Sequence, residues 1–199
     1  HFAIHGFDSA IVHRDKDFKK PDQFRNIEQN LQRTVIRDRI ALDFFEKELG
    51  KTEFGTFGLS RGGINVVLSA GVDPRLKYNV MVMAGIDLVK IFRHSDQRGL
   101  KKYRREVKEY EHITDGEFFA YVQDNLKSEP RNVASYIDAR QTLLFLALFD
   151  GTVPIERGFQ LKRTLGHPET HVVFADHYTS LLYTQIVAII PPGSPWSIF

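Results

Sequence analysis

The chain has 199 residues, 42% hydrophobic and 26% charged, the make-up of one ordinary globular domain with room for a substantial core. Its 27 basic and 25 acidic residues leave a net charge of +2, too balanced for a nucleic-acid-binding footprint despite a sequence pI of about 8.8. Cysteine is absent, so disulfides, zinc-thiolate sites and thiol nucleophiles are excluded together.

The first residues, Phe2-Ala-Ile-His-Gly-Phe-Asp8, predict a short strand leading into a glycine-containing loop. Opening on His1 instead of Met points to a processed or truncated chain, and His1 to Ser9 lacks the basic start and apolar stretch of a signal peptide. Arg14 to Gln23, mixed in charge around Pro21, predicts a loop. From Phe24 to Leu49 the residues Ile27, Leu31, Val35, Leu42, Phe45 and Leu49 recur at spacings of three, four or seven. That is the apolar face of one long helix, which Gly50 ends.

Thr52 to Phe57 reads as a strand, Ile64 to Ala70 as a helix stopped by Gly71-Val-Asp-Pro74, and Tyr78 to Ala84 as a strand apolar on both faces. Lys90 to Arg140 breaks the alternation with charged helices at Gln97 to Glu111 and Asp115 to Leu126. Thr142 to Phe149, Ile155 to Leu165, His171 to Ala175 and Ser180 to Ile190 then resume strand, helix, strand, helix. The tail Pro191-Pro-Gly-Ser-Pro195 is incompatible with a helix. This order predicts an α/β fold with a mostly parallel central sheet, one domain over residues 1–199 with 90–140 inserted. No segment has the roughly 18 apolar residues that span a bilayer, so membrane association is not indicated.

Gly58-Leu-Ser60-Arg-Gly62 has the form G-x-S-x-G and lies between a predicted strand and a predicted helix. A serine on so sharp a turn needs neighbours without side chains, and the helix that follows supplies backbone N–H groups where an oxyanion would form. On its own the string is weak, since a glycine-rich turn with a solvated serine looks the same. Asp150 follows the strand Thr142 to Phe149 and precedes Gly151-Thr-Val-Pro154; unaided, an Asp before Gly is a turn former. His177 follows the strand His171 to Ala175, a position where a lone histidine is more often structural. The three together carry the reading, because each follows a strand, where open parallel sheets place functional groups, and their order is Ser, Asp, His. His5, His13, His94, His112, His167 and His171 have no comparable placement.

From Phe2 to Ile190 the chain resembles the α/β-hydrolases. The likeness is carried by Gly58-Leu-Ser-Arg-Gly-Gly63, by Phe149-Asp-Gly-Thr-Val-Pro154 with Leu161 to Gly166, and by Phe174-Ala-Asp-His-Tyr178. It implies a three-layer fold with a helical cap insertion, and acyl transfer with Ser60 as nucleophile, His177 as general base, Asp150 as orienting acid and the Arg61 N–H as one oxyanion donor. The implied substrate is a small-molecule carboxylic ester. A serine peptidase of the same fold and a noncatalytic binding module are the alternatives.

The resemblance leaves two readings of the N-terminus. Either Phe2 to Asp8 is the family's third strand, with Gly6 or Phe7 as second oxyanion donor, or it is the fourth strand and earlier strands are missing. The second fits better, because only one long helix lies between Gly6 and Ser60. In the insertion, Phe92, Tyr103, Phe118, Phe119 and Tyr121 either line a substrate pocket or anchor the insertion on the core, and anchoring is the commoner use of such residues. Lys101-Lys-Tyr-Arg-Arg105 sits among Glu106, Glu109 and Glu111, which suits a solvated helix face. Asp8, Asp15, Asp17, His5 and His13 cluster without metal-ligand spacing, so neither a metal nor a cofactor is expected. Compartment and oligomeric state leave no signature.

Overall fold

A computed structural model describes residues 6–13 and 20–180. Most of the strand expected at Phe2 to Asp8, and the helix expected from Ser180 to Ile190 apart from Ser180 itself, lie outside the described residues. The 3-10 turn Pro21–Asn26 leads into α1 (Ile27–Leu49), which ends at Gly50 with φ 64°, a left-handed conformation that glycine adopts without a Cβ penalty. Next come β1 (Phe54–Leu59), α2 (Arg61–Ala70) and β2 (Leu76–Val82). After the insertion, β3 (Thr142–Ala147), α6 (Ile155–Thr164) and β4 (Glu169–Val173) complete the described chain.

The four strands form one parallel sheet in the order β1-β2-β3-β4. Its two faces follow from the alternation along β2 and β3. Met81, Leu144 and Leu146 pack with Val66, Val67 and Leu161 of the helices, whereas Val80, Val82, Leu143 and Phe145 form a separate cluster on the opposite face. This double burial is why both strands are apolar throughout.

Strand and helix edges differ from expectation where backbone geometry intervenes. β1 begins two residues later than predicted and continues to Leu59, and α2 starts at Arg61 instead of Ile64, so helix follows strand with Ser60 alone between them. β2 stops at Val82 instead of Ala84, because Met83 adopts φ 52°. β3 likewise stops at Ala147 and β4 at Val173.

An ionic network fastens α1 to the start of β2. The Arg75 guanidinium meets both Asp73 oxygens at 2.9 and 2.7 Å and reaches Asp43 at 2.7 Å and Glu46 at 2.8 Å. These bonds from Arg75 hold the buried Asp73 carboxyl below its ordinary value, against the opposing effect of burial.

The insertion contains α3 (Leu88–His94), which the sequence reading missed, with α4 (Arg98–Glu111) and α5 (Asp115–Asn125). Its charged surface conceals a second core: Leu88, Ile91, Tyr103, Val107, Phe118, Phe119 and Val122 are buried together with Phe24, Ile27, Ile64 and Leu68. Phe118 stacks on Phe24 at 4.8 Å, and Arg25 lies 4.5 Å over the Tyr121 ring while its Nη2 meets Glu111 at 2.7 Å. The aromatic residues therefore anchor the insertion. The basic run is partly spoken for, with Lys102 near Glu106, Arg105 near Glu109, and Arg104 Nη1 donating to the Phe92 and Arg93 carbonyls at the end of α3. No described helix is long and apolar enough to cross a membrane.

The two ends of the excursion meet. Glu129 accepts the N–H groups of Asp87 and Leu88 at 2.7 and 2.9 Å, and the Asp87 carboxylate faces Lys90 at 3.0 Å, Arg157 at 3.1 Å and Arg131 at 3.5 Å. Burial raises the Asp87 carboxyl, but the hydrogen bonds and charge of Lys90, with the charge of Arg131, outweigh it and hold the group below its ordinary value.

Candidate active site

Ser60 bridges β1 and α2 at φ 54° and ψ −117°, a strained conformation for a residue with a side chain, costing about 1–3 kcal/mol. Its surroundings require glycine. A Cβ on Gly58 would lie 2.2 Å from the Gly62 carbonyl oxygen, and one on Gly63 would lie 3.0 Å from both Ala84 Cβ and the Val82 oxygen. Gly58 and Gly63 thus permit the close passage of strand end against helix start, whereas a Cβ on Gly62 would meet nothing within 4 Å. Arg61 is the first residue of α2, where backbone N–H groups point out of the helix end.

Backbone bonds continue across the sheet beyond the strand ends: Ser60 N–H donates to Val82 at 2.7 Å, Met83 to Phe145 at 2.8 Å, Leu148 to Val173 at 2.9 Å and Phe149 to Ala175 at 3.1 Å. They bring Ser60 and the loops carrying Asp150 and His177 to one edge, the C-terminal edge of four parallel strands.

Asp150 and His177 are both buried and in direct contact, with His177 Nδ1 2.7 Å from Asp150 Oδ2. The other carboxyl oxygen, Oδ1, accepts the N–H groups of Thr152 and Val153, each at 2.8 Å. A carboxylate only accepts, so Nδ1 carries the proton of this pair and neutral His177 keeps the lone pair on Nε2. The histidine turn is fastened by Asp176, whose Oδ1 accepts the Tyr178 and Thr179 N–H groups at 2.8 Å each, while the Thr179 hydroxyl receives the Asp176 N–H at 3.0 Å. Those backbone bonds, Thr179 first, hold the exposed Asp176 carboxyl below its ordinary value.

The structure therefore joins two of the expected residues, Asp150 and His177, and sets Ser60 on the same sheet edge; among the described residues no hydrogen bond links the Ser60 hydroxyl to His177. As sequence, Thr152, Val153, Asp176 and Thr179 carried no assigned role in supporting the pair. Only the Asp-x-x-Thr spacing of a turn cap, over Asp176 to Thr179, was there to signal them. Asp8 is ion-paired with Lys51, ahead of β1 and away from the Ser60 end, which lends no support to Gly6 or Phe7 as second oxyanion donor. A cavity of about 440 Å³ is lined by Glu28, Val35, Leu68 and Val133 and shares no lining residue with Ser60, Asp150 or His177.

Strained serine between strand and helix, sequential parallel strands, helices against the sheet and a helical cap insertion after the second described strand define an α/β-hydrolase fold. Many solved structures share it, of which three are representative. An acetyl xylan esterase from Paenibacillus sp. R4 is similar at 19% identity and a TM-score of 0.56, over 91% of this chain and 60% of that one. A cold-adapted esterase from an Arctic intertidal metagenomic library is similar at 18% identity and 0.52, over 81% and 58%. The acylaminoacyl peptidase of Pyrococcus horikoshii is similar at 14% identity and 0.54, over 81% of this chain but 29% of the peptidase. The chain thus spans about three fifths of the length of the two esterases. No family model matches the chain, and no curated protein matches it.

Proposed function

We propose that the chain carries a serine hydrolase centre that cleaves carboxylic esters. The observation that carries the reading is the buried Asp150–His177 pair at 2.7 Å, on the sheet edge that also bears the strained Ser60. His177 Nε2 takes the Ser60 proton as Oγ attacks the ester carbonyl, and the Arg61 N–H stabilises the oxyanion. The protonated His177 then gives its proton to the leaving alkoxide, releasing the alcohol and an acyl-serine. Water, deprotonated by His177, adds to the acyl group; the adduct collapses by breaking its bond to Oγ, which takes the proton back from His177, and the carboxylic acid leaves. Asp150 holds the ring and stabilises the imidazolium. Similarity to two esterases supports an ester over an amide, although the likeness to the acylaminoacyl peptidase keeps peptide bond cleavage as the second reading.

Treatment with a fluorophosphonate followed by peptide mass spectrometry tests this directly. A single adduct on Ser60, absent in Ser60→Ala, is the expected result, with ester hydrolysis lost in the same variant. An unlabelled, well-folded chain would overturn the reading in favour of a noncatalytic module.

A further inference from the structure

We infer that Met83 is a positioning residue for the His177 turn, acting through Ser180; this rests on the assignment of His177 as general base. In a regular strand the side chain of residue 83 would join Met81, on the face packed against α2 and α6. Instead Met83 belongs to the cluster of Val80, Val82, Leu143, Phe145 and Ala147 on the opposite face. The reversal follows from its backbone, at φ 52°, a left-handed conformation that is costly for a residue with a side chain. It is held there by the bond from its N–H to the Phe145 carbonyl at 2.8 Å and by a side chain only 2% exposed.

The reversal brings the thioether to the histidine loop. Ser180, itself 2% exposed, sets its hydroxyl against Met83 Sδ and within 3.0 Å of the His177 carbonyl oxygen, while its N–H donates to Asp176 at 3.0 Å. One hydroxyl thus touches both the end of β2 and the main chain of the histidine. A thioether is a weak acceptor, so its contribution is mainly shape: it fills the space beneath Ser180 and stops the turn from sinking. Asp150 fixes the ring from the side, and Met83 fixes the height of the backbone that carries it.

The test is NMR titration of the His177 ring in the parent, Ser180→Ala and Met83→Leu, with His94 and His171 as internal references, alongside ester hydrolysis. The expected result is a displaced His177 midpoint in both variants, unmoved reference histidines, and kcat lowered about tenfold with KM retained. The double variant should be no worse than the worse single one, since both remove one link. A His177 midpoint at the parental value in both variants overturns the proposal whatever the rates. Displaced midpoints in both variants of a parent that neither hydrolyses esters nor labels at Ser60 support Met83 as the prop of the turn and refute the hydrolase reading instead.

Discussion

Asp96 and Gly151 join the insertion to the loop that carries Asp150: the Asp96 N–H donates to the Gly151 carbonyl at 2.6 Å, and Asp96 Oδ2 lies 2.7 Å from where a Cβ on Gly151 would stand. The obstacle is chiefly the far end of a side chain that is 77% exposed and held by an exposed ion pair to Lys101 at 3.2 Å, which can give. Gly151→Ala should therefore fold and lose less than about 1 kcal/mol in urea denaturation. A larger loss would show that the acid loop tolerates no movement of Asp96.

Gly58→Ala is the opposite case. Its Cβ would meet the Gly62 oxygen and carbon and the Gly63 nitrogen at 2.2, 2.3 and 2.7 Å, all of them backbone. The turn has nothing soft to give, so the cost should exceed the 1–3 kcal/mol, roughly, of ordinary overpacking. Circular dichroism melts of the two alanine variants side by side check the contrast, and equal melts would contradict it.

Asp150→Asn leaves a group that accepts from His177 Nδ1 less well and can itself donate, setting the wrong tautomer. Turnover of an activated ester should fall by about 10⁴ with the fold retained. Undiminished turnover would move the acid role, although Asp176 is committed to its own turn and Asp138 to Arg140.

Asp73, held low by Arg75, contributes stability above its unfolded pKa near 3.8 and loses it as pH falls through the lower folded value. Asp73→Asn should cost about 1–3 kcal/mol at pH 7, and the gap to the parent should close at strongly acid pH. Urea midpoints at neutral and acid pH decide this; a gap constant with pH would mean that the ion pair is not what stabilises.

Phe118 is wholly buried between α5 and the chain ahead of α1. Phe118→Ala should destabilise by about 3–5 kcal/mol. The protein should unfold in one transition if the insertion and sheet share a core, and two separate transitions would show that the insertion melts by itself.

The alternation of strands and helices was legible because β2 and β3 are apolar runs and α1 has a clean helical spacing. The placement of Ser60, Asp150 and His177 at strand ends was legible because each follows a segment that reads as a strand, β1, β3 and β4 in turn. Their supports were not. Met83 reads as one more strand residue, and only the backbone reversal, imposed by tertiary contacts, takes it out of β2. The insertion was legible only in part: Tyr103 stood out as an anchor, but Val107, beside it on the buried face of the highly charged α4, did not, and α3 is a seven-residue helix too short for periodicity to reveal. Glu129 and Asp87, 42 positions apart, give no local hint that they meet.

That meeting has a bearing on how the chain can vary over evolutionary time. Because Asp87 and Glu129 bring the two stems of the excursion side by side, residues added or removed at its far turn, around His112 and Ile113, leave the spacing of β2 and β3 untouched. The length of that turn can change without renegotiating the sheet. The same freedom stops at the helices' inner faces, where Phe118 and Val107 are interlocked with Phe24 and Ile64.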